Sequence, residues 1–280
     1  MIKISNLNYS YKRGVPLFKD LNLQLPQGTI TGLLGKNGEG KTTMLKLLSG
    51  SLLPKSGNIS VLFNDPSTRS FAVQQEIFLL PEIVQCPSVK VRRYLDMMAS
   101  FYPTYDKEVE ADAMRVFDLN DEMKLGKISQ GQQKKVVITV ALASRTPLLL
   151  MDEPTNSLDI PSKTAFRQLM AKYLNENQTV IISTHQVRDL ESLIDRVVLM
   201  NNNEIVCNES IYELSQTFHF SQTDKVDGQP LYTEQSPIGN VGMFLREKNS
   251  QDFDDDYFSL ELFFNGVISN YDLVGKYIKH

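Results

Sequence analysis

The sequence predicts an α/β fold, and three stretches of the chain support this prediction. A short apolar, β-rich run at 29–34 is followed by a glycine-punctuated loop and then by a helical pattern at 41–49. Two later apolar runs, at 147–151 and 179–183, have the length of buried strands, and polar residues follow each of them. Because ligands bind where the strands of such a sheet end, we expect a functional site at that edge.

Composition limits the kinds of function that the chain can have. A length of 280 residues with 41% hydrophobic content suits one large domain, or one domain with a small appendage. The net charge of −4 does not favour binding to nucleic acid or to anionic lipid. Cys86 and Cys207 are far apart in a sequence without a secretory signal, which predicts free thiols in a reducing cytosol. The longest apolar runs fall short of the roughly 18–20 residues that span a bilayer, so we expect a soluble chain.

The loop after the first predicted strand has the pattern GxxxxGK[ST], read here as GKNGEGKTT. Glycines let backbone N–H groups approach a polyphosphate closely, and the positive end of the following helix favours the same anion. Lys41 is expected to reach the β- and γ-phosphates of a nucleoside triphosphate, and the Thr42 hydroxyl to ligate Mg²⁺. The alternative is a glycine turn followed by a solvated lysine, which the flanking strand and helix make less favoured. The predicted nucleotide-binding residues of this loop are Gly35, Lys36, Asn37, Gly38, Glu39, Gly40, Lys41, Thr42 and Thr43.

Two carboxylates and a histidine follow the later strands. Asp152, at the end of one apolar strand, is expected beside the phosphate loop, where it can hold Mg²⁺ directly or through water. Strand alternation predicts that Glu153 points to the other side of that strand, where it could polarise an attacking water. His185 follows the next strand and is expected at the same sheet edge. Taken alone, an Asp-Glu pair often only caps a strand, and a lone histidine is usually structural.

Taken together, these residues resemble the ATP-binding subunits of ABC transporters over about residues 1–214. Six motifs occur in the order typical of that family. They are GKNGEGKTT (35–43), LPE (80–82), ISQGQQ (128–133), LLLMDEP (148–154), NSLD (156–159) and STH (183–185). A serine-glycine-glutamine turn ahead of an amphipathic helix, predicted here at 134–145, is the most specific of them. The resemblance implies a P-loop NTPase fold of the ABC type with a mixed sheet core, a helical lobe at about 83–140 and a small C-terminal α+β appendage.

The resemblance also implies roles for matching residues. Tyr11 would stack on adenine, although it could instead be an ordinary strand tyrosine. Glu153 would be the catalytic base, with His185 as the switch histidine that contacts the γ-phosphate and Lys41 completing the catalytic set. The implied metal ligands are Thr42, Asp152 and Glu82. The residues that would meet a partner subunit or its ATP are Ser129, Gly131, Gln132 and Asp159.

The sequence departs from the family pattern at two places. Glu82 stands where a glutamine is usual, with Gln85 nearby, and its carboxylate adds negative charge beside the phosphates. Gln130 stands where a glycine is common, and it would cost about 1 kcal/mol if that backbone required a positive φ. The LPE motif together with SFYPTYD (100–106) is more similar to bacterial exporter subunits of the bacitracin-resistance and regulator-linked kind than to importer subunits.

The implied function is ATP-driven transport, with ATP and Mg²⁺ as cofactors. Two such subunits, as a homodimer or a heterodimer, would close head to tail on ATP and drive a separate membrane permease, with export as the direction that the similarity implies. The chain would then be cytoplasmic and peripheral to the cell membrane, bound only through the permease. The alternative is a soluble ABC ATPase that acts on ribosomes or DNA, but the chain has one phosphate loop, no sustained heptads and no strongly basic face. Lys90, Arg92 and Arg93 either contribute to permease contact or form a solvated face.

Residues 215–280 are expected to form a small accessory region. From His219 to His280 the sequence has ten acidic and five basic side chains, a net charge of −5 that leaves +1 for residues 1–218. Strands are predicted at 218–221 and 241–247, and a helix after Ser259 as its N-cap. Four aspartates resemble a Ca²⁺ loop only loosely and are interpreted as a solvated turn. They are Asp252, Asp254, Asp255 and Asp256.

Overall fold

The computed structural model of the chain describes residues 1–12, 14–223, 229–236, 239–246 and 258–278. The four aspartates of the predicted solvated turn, Asp252, Asp254, Asp255 and Asp256, lie outside these ranges, as does Glu247 at the end of one predicted strand. Within these ranges no helix is both long enough and apolar enough to cross a bilayer.

The strands, in chain order, are β1 (Ile2–Tyr9), β2 (Phe18–Leu25), β3 (Ile30–Gly35), β4 (Ser56–Val61), β5 (Ile77–Leu80), β6 (Leu148–Asp152), β7 (Thr179–Thr184), β8 (Arg196–Asn201), β9 (Glu204–Ser210), β10 (Phe218–Gln222), β11 (Tyr232–Ser236) and β12 (Gly239–Leu245). The helices are α1 (Lys41–Leu48), α2 (Phe71–Gln75), α3 (Val91–Ala99), α4 (Lys107–Val116), α5 (Gln130–Ala143), α6 (Ile160–Tyr173), α7 (Ile211–Thr217), α8 (Leu260–Ser269) and α9 (Tyr271–Val274).

The central sheet has the strand order β5-β6-β7-β3-β8-β9. Its first five strands are parallel, and β9 runs antiparallel to β8. The mixed α/β architecture predicted from the sequence is therefore confirmed. Because β6, β7 and β3 are neighbours in this sheet, their carboxyl ends meet at one edge, and the residues that follow them lie close together.

Each face of the central sheet is covered by a separate hydrophobic core, and β6 contributes to both. Leu148 and Leu150 pack with α1 and with the antiparallel sheet β2-β1-β4. Leu149 and Met151 pack on the opposite side, against residues of the helices α3 to α6. A strand buried on both faces needs apolar residues at every position rather than at alternate ones, which explains the continuous run LLLM.

Helix α5 begins earlier than the sequence predicted. The expected turn ahead of a helix at 134–145 is instead the first turn of α5, which starts at Gln130 with Ser129 as its N-cap. The Ser129 hydroxyl accepts a hydrogen bond from the backbone N–H of Gln132, and the Gln132 side chain accepts one from the backbone N–H of Ser129. This capping box fixes the start of the helix at the serine. Gln130 is thus an ordinary helical residue that does not have a positive φ, and the anticipated backbone cost of glutamine does not arise.

The C-terminal residues form a third sheet and a helix that packs on the rest of the chain. The sheet has the order β10-β12-β11, and α8 begins after the N-cap Ser259, as the sequence predicted. The apolar side chains Leu260 and Phe263 of α8 are fully buried in the same core as Val187, which lies two residues after His185. The C-terminal helix therefore supports the segment that follows β7.

Candidate active site

Lys41, which follows the loop between β3 and α1, has a side chain that folds back and hydrogen bonds to the start of that loop. The Lys41 Nζ donates hydrogen bonds to the carbonyl oxygens of Gly35, at 2.7 Å, and Lys36, at 3.0 Å. Gly40, just before the helix, has a φ of 100°, and a Cβ at this position would lie 2.7 Å from the Phe18 ring. Only glycine fits this close approach in this conformation. The loop geometry thus depends on one glycine and one buried lysine.

Burial lowers the pKa of the Lys41 ammonium from its ordinary value, while the negative charges of Glu153, Asp152 and other nearby carboxylates act to raise it. The lysine is only 7% exposed, so its charge is largely shielded from solvent screening. An anion that enters the site would therefore meet a cation held in place by the loop backbone.

A cavity of about 480 Å³ opens beside this loop, and its volume is in the range of small-molecule binding sites. Residues from the phosphate loop, from the ends of β6 and β7 and from the N-terminal segment meet around it. They are Tyr11, Leu17, Asn37, Gly38, Gly40, Lys41, Thr42, Thr43, Glu82, Asp152, Glu153 and His185. All of them except Leu17 were predicted from the sequence as site residues.

Three predicted residues of the loop are not part of the cavity lining: Gly35, Lys36 and Glu39. Gly35 and Lys36 contribute the carbonyl groups that bind Lys41. The Glu39 carboxylate accepts a hydrogen bond of 2.6 Å from the backbone N–H of Asn203, in the turn between β8 and β9. This bond anchors the outer side of the loop to the central sheet.

Asp152 and Glu153 line the same cavity, so the prediction that they lie on opposite sides of the strand is wrong. Strand β6 ends at Asp152, and Glu153 has a left-handed φ of 44°, which ends the alternation of side chains. The Ser183 hydroxyl donates a hydrogen bond of 2.5 Å to the Asp152 carboxylate and fixes it across β6 and β7. Both carboxylates therefore face one space at the sheet edge.

The two oxygens of the Glu153 carboxylate have different surroundings. Its Oε1 accepts hydrogen bonds from the His185 backbone N–H, at 3.1 Å, and from the His185 Nδ1, at 2.7 Å. Its Oε2 is buried and, among the described residues, has no hydrogen-bond partner. A buried carboxylate oxygen without a partner is costly, which is typical of a group that accepts a proton or a hydrogen bond during function.

Three side chains that the sequence predicted as metal ligands line this cavity together: Thr42, Asp152 and Glu82. Gln85, the nearby alternative to Glu82, is not part of the lining. Within the described ranges no group of three or more His, Cys, Asp or Glu side chains is placed to hold a metal ion. Mg²⁺ usually takes one or two carboxylates and completes its shell with phosphate oxygens and water, so this small donor set fits Mg²⁺ bound together with a nucleotide.

Tyr11 lies at the mouth of the cavity and beyond the end of β1, rather than within the strand. Its side chain is 62% exposed, and its hydroxyl hydrogen bonds to the Thr43 Oγ1 at 2.8 Å. Its ring packs edge-to-face on Tyr9, with 5.2 Å between the ring centroids. The ring is thus held in a fixed orientation while remaining accessible.

The predicted signature residues are not part of the cavity lining of their own chain. Ser129 is exposed at the start of α5, and Gln132 is half-buried. A Cβ on Gly131 would lie 2.6 Å from the carbonyl oxygen of Ser157, so the signature turn packs closely on the 156–159 segment. Asp159 in that segment caps α6, where its carboxylate accepts a hydrogen bond from the Ser162 N–H at 2.9 Å. The signature and this segment form a second surface, separate from the cavity.

One residue of the site was missed in the sequence. Lys134 on α5 is 2% exposed, and its Nζ donates hydrogen bonds to three backbone carbonyl groups around the cavity, those of Pro81, Glu82 and Asp152. Burial lowers its pKa to about 8, although the charges of Asp152, Glu82 and Glu153 act to raise it. The lysine pair KK before the apolar run VVITVALA looked like the polar face of a helix, and nothing in the pattern indicated burial.

Comparisons with known proteins agree with this arrangement. The sequence matches the ABC transporter family over residues 18–156. It is 31% identical over 212 residues to the ABC transporter ATP-binding protein NatA of Bacillus subtilis, an alignment that covers 72% of this chain and 86% of NatA. It is 30% identical over 226 residues to the zinc uptake system ATP-binding protein ZurA of Listeria monocytogenes, which covers 76% of this chain and 87% of ZurA.

The fold is similar to that of a solved ATP-binding cassette, MJ0796, in a dimeric post-hydrolysis state bound to ADP and Pi. The TM-score is 0.66 at 22% identity, over 75% of this chain and 99% of that one. The names of these relatives do not confirm the expected bacitracin-resistance subclass. The family match, the NatA relationship and the phosphate loop beside two carboxylates nevertheless lead to one conclusion: the chain belongs to the ABC transporter family, as an ATP-binding and ATP-hydrolysing protein.

Proposed function

We propose that the chain is the motor subunit of an exporter, pairs head to tail with a second ATPase subunit and drives a separate permease. The observation that carries the proposal is the position of the signature turn. Ser129 is exposed on a surface that is not part of the chain's own cavity, which otherwise contains the phosphate loop and both carboxylates. A second subunit placed head to tail would supply this missing wall of the site.

In the proposed reaction each side chain has a distinct task. Tyr11 stacks on adenine, and the loop N–H groups and Lys41 hold the phosphates. Mg²⁺, held by Thr42, Asp152 and Glu82 together with the nucleotide, would neutralise phosphate charge. The Glu153 Oε2 accepts a proton from the attacking water, and His185 fixes the orientation of that carboxylate through its hydrogen bond to Oε1.

Subunit closure in this proposal depends on ATP because the γ-phosphate forms part of the contact. The Ser129 hydroxyl, the first turn of α5 and Asp159 of one subunit would face the cavity of the other. Hydrolysis would remove the γ-phosphate and weaken the contact, so that the pair opens. MJ0796, whose fold this chain shares, is a dimer in its post-hydrolysis state, which supports the same arrangement here.

The permease is proposed to dock on a groove beside α2 and α3. The groove has a volume of about 330 Å³ and is lined in part by Phe71, Phe101 and Tyr102. Phe71 is 66% exposed and Phe101 is 49% exposed, and such aromatic pairs beside a groove are typical of interaction sites. Contact through this groove would place the chain at the cytoplasmic face of the cell membrane.

The basic cluster that was considered for permease contact is a weaker candidate than this groove. Lys90 pairs with Glu122, and the Arg92 guanidinium pairs with Asp96 and Glu110. Charges that are paired within the chain attract a partner less strongly than free ones. Lys90 and Arg92 are therefore better explained by contacts within the chain, and of the three only the exposed Arg93 is left for permease contact.

The proposed domain organisation follows the earlier expectation. Residues 1–214 would form the ATPase domain, with a helical lobe at about 83–140, and residues 215–280 an accessory region.

The export direction rests on the LPE and SFYPTYD motifs, while the name of ZurA describes uptake. A soluble ATPase that acts on ribosomes or DNA remains the alternative, and no observation on the described residues favours it.

Three measurements test the proposal: dimer formation, co-purification with a permease and co-purification with ribosomes. The Glu153→Gln protein should form dimers with ATP in size-exclusion chromatography and remain monomeric with ADP. In cells, Phe71→Glu should prevent co-purification of a membrane permease, while Tyr212→Glu, a matched change at an exposed aromatic on α7, should not. Only monomers with ATP would contradict the head-to-tail pair, and strong co-purification of Glu153→Gln with ribosomes would favour the alternative.

A further inference from the structure

Lys134 is a buried lysine whose three donors are all directed at backbone carbonyl groups. Its Nζ lies 2.9 Å from the carbonyl oxygens of both Pro81 and Glu82 and 3.4 Å from that of Asp152. A buried ammonium is stable only if its hydrogen bonds are satisfied, and an ammonium group has three to donate. The contacts therefore use the full capacity of this side chain.

These contacts connect two segments that carry carboxylates of the ATP site. Pro81 and Glu82 follow directly after β5, and Asp152 is the last residue of β6. The side chains of Glu82 and Asp152 line the cavity, while their carbonyl groups bind Lys134 from behind. A change in the position of Lys134 would move both backbones and, with them, both carboxylates.

The helix that carries Lys134 also carries the signature turn. Ser129 is the N-cap of α5, and Lys134 is five residues further, at about 1.5 Å of rise per residue. A helix transmits a displacement of its first turn along its axis because its backbone hydrogen bonds resist compression. In the proposed dimer, the first turn of α5 contacts the ATP of the partner subunit, whereas Lys134 contacts the chain's own site.

We propose that Lys134 is a positioning residue that couples the two ATP sites of the dimer, by holding the backbones of Glu82 and Asp152 in a fixed relation to the signature turn. This inference rests on the proposed head-to-tail pairing. ATP held against Ser129 by the partner would then set the position of the carboxylates that serve the chain's own ATP. Lys134 would affect the rate and the cooperativity of hydrolysis but not the binding of ATP to a monomer.

A purely structural role predicts a different result. If Lys134 only fills a buried space, its replacement would loosen the whole site, and ATP affinity would fall in parallel with the rate of hydrolysis. A role in coupling predicts that the two quantities separate. The test therefore compares kcat, the Hill coefficient for ATP and the ATP affinity of the monomer in the same variants.

The experiment uses the full chain with Lys134→Gln, which keeps two amide donors, and Lys134→Arg, which keeps the charge. Lys124→Met, at an exposed lysine, is the control. We expect Lys134→Gln to bind ATP within about threefold of the wild type, to lower kcat about tenfold or more and to bring the Hill coefficient close to 1. Lys134→Arg should recover part of the lost kcat, and the control should behave as the wild type.

Two outcomes would overturn the inference. One is a Lys134→Gln protein whose kcat and Hill coefficient equal those of the wild type. The other is a Lys134→Gln protein whose ATP affinity falls in parallel with its kcat, whether because the site is loosened or because the chain unfolds. The Glu153→Gln dimer separates this inference from the proposed function. If that dimer fails to form with ATP, the pairing itself is wrong, and if it forms while Lys134→Gln behaves as the wild type, only the coupling is wrong.

Discussion

Glu153 and His185 are joined by a 2.7 Å hydrogen bond between Oε1 and Nδ1, at the ends of two neighbouring parallel strands. The His185 backbone N–H binds the same oxygen at 3.1 Å. This arrangement holds one carboxylate oxygen and leaves the other, buried Oε2, without a partner among the described residues, on a side chain that lines the cavity. In the proposed mechanism His185 orients the carboxylate through Oε1, and Oε2 is the atom that accepts the proton.

Replacing either member of this pair should lower the rate of hydrolysis more than the affinity for ATP. Glu153→Gln removes the proposed proton acceptor, and a general base contributes roughly 10²–10⁴-fold to a rate, so we expect a fall in kcat of that order. His185→Ala should cause a smaller fall, because the carboxylate remains but is less well oriented. Phosphate release at saturating ATP measures both, and a Glu153→Gln rate close to that of the wild type would contradict the assignment.

Lys41→Ala should lose ATP binding. The replaced ammonium would bind phosphate oxygens, and each hydrogen bond to a charged group contributes about 1.5–3 kcal/mol, which corresponds to at least a tenfold loss of affinity. ATP should also no longer raise the melting temperature of the variant, since stabilisation by a ligand depends on its occupancy. Lys46→Ala, on the same helix, is the control, and an unchanged ATP affinity of Lys41→Ala would refute the loop assignment.

Changes in the first turn of α5 should separate binding from hydrolysis. Ser129→Arg places a large side chain on the exposed signature surface. It should abolish hydrolysis, which in the proposed mechanism needs the pair, while ATP binding to the monomer remains. Gln130→Gly should be mild, with a loss of folding stability below about 1 kcal/mol, because glycine is only modestly unfavourable near a helix start. Equilibrium ATP binding and steady-state hydrolysis check both, and full activity of Ser129→Arg would argue against the pairing.

Glu82→Gln should change the dependence on Mg²⁺. The substitution removes a negative charge from the cavity. When EDTA removes Mg²⁺, the Glu82 carboxylate of the wild type repels the phosphates of ATP, so the variant should then bind ATP more tightly than the wild type. The Mg²⁺ concentration for half-maximal hydrolysis should rise several-fold, because one carboxylate donor is lost. If the Mg²⁺ titration is identical to that of the wild type, Glu82 is not a metal ligand.

The Asp112 carboxylate on α4 should make the free energy of unfolding of the chain depend on pH in the acidic range. It accepts hydrogen bonds from the Lys172 Nζ at 2.7 Å and the Tyr173 hydroxyl at 2.6 Å on α6, and it also pairs with Arg115. The hydrogen bond from Lys172, followed by those from Tyr173 and Arg115, lowers the pKa of Asp112 well below its ordinary value. A carboxyl with a depressed folded pKa stabilises the fold above its unfolded pKa of about 3.9 and loses this contribution as the pH falls below that value.

Urea unfolding of Asp112→Asn therefore gives a clear comparison. At pH 7 we expect a loss of about 1–2 kcal/mol, limited because the Lys172 side chain is 59% exposed and its charge is screened. Near pH 2.5 the difference from the wild type should be much smaller. Asp118→Asn, at an exposed aspartate near the end of α4, is the control, and an equal loss at both pH values for Asp112→Asn would contradict the assigned pKa shift.

The sequence predicted those parts of the fold that depend on local patterns. Three strands of the central sheet, β3, β6 and β7, and the phosphate loop were found because they follow from strand periods and a local motif, while Tyr11 and Glu82 were found through the family resemblance. The prediction that Glu153 points to the other side of β6 was wrong because the left-handed backbone of Glu153 interrupts the two-residue alternation of the strand. The predicted start of α5 was wrong because the residues of the capping box were interpreted as a turn. Lys134 was missed because the burial of a single polar residue depends on tertiary contacts that no local pattern contains.

The order of strands in the central sheet also has a consequence for biosynthesis. Strand β3, which leads into the phosphate loop, lies between β7 and β8, which the ribosome makes much later. Until β7 and then β8, which ends at Asn201, have left the exit tunnel, β3 lacks its partners and presents unpaired N–H and C=O groups. We therefore expect the nascent chain to depend on chaperones through most of its synthesis, and the nucleotide site to form only when translation is well past its midpoint.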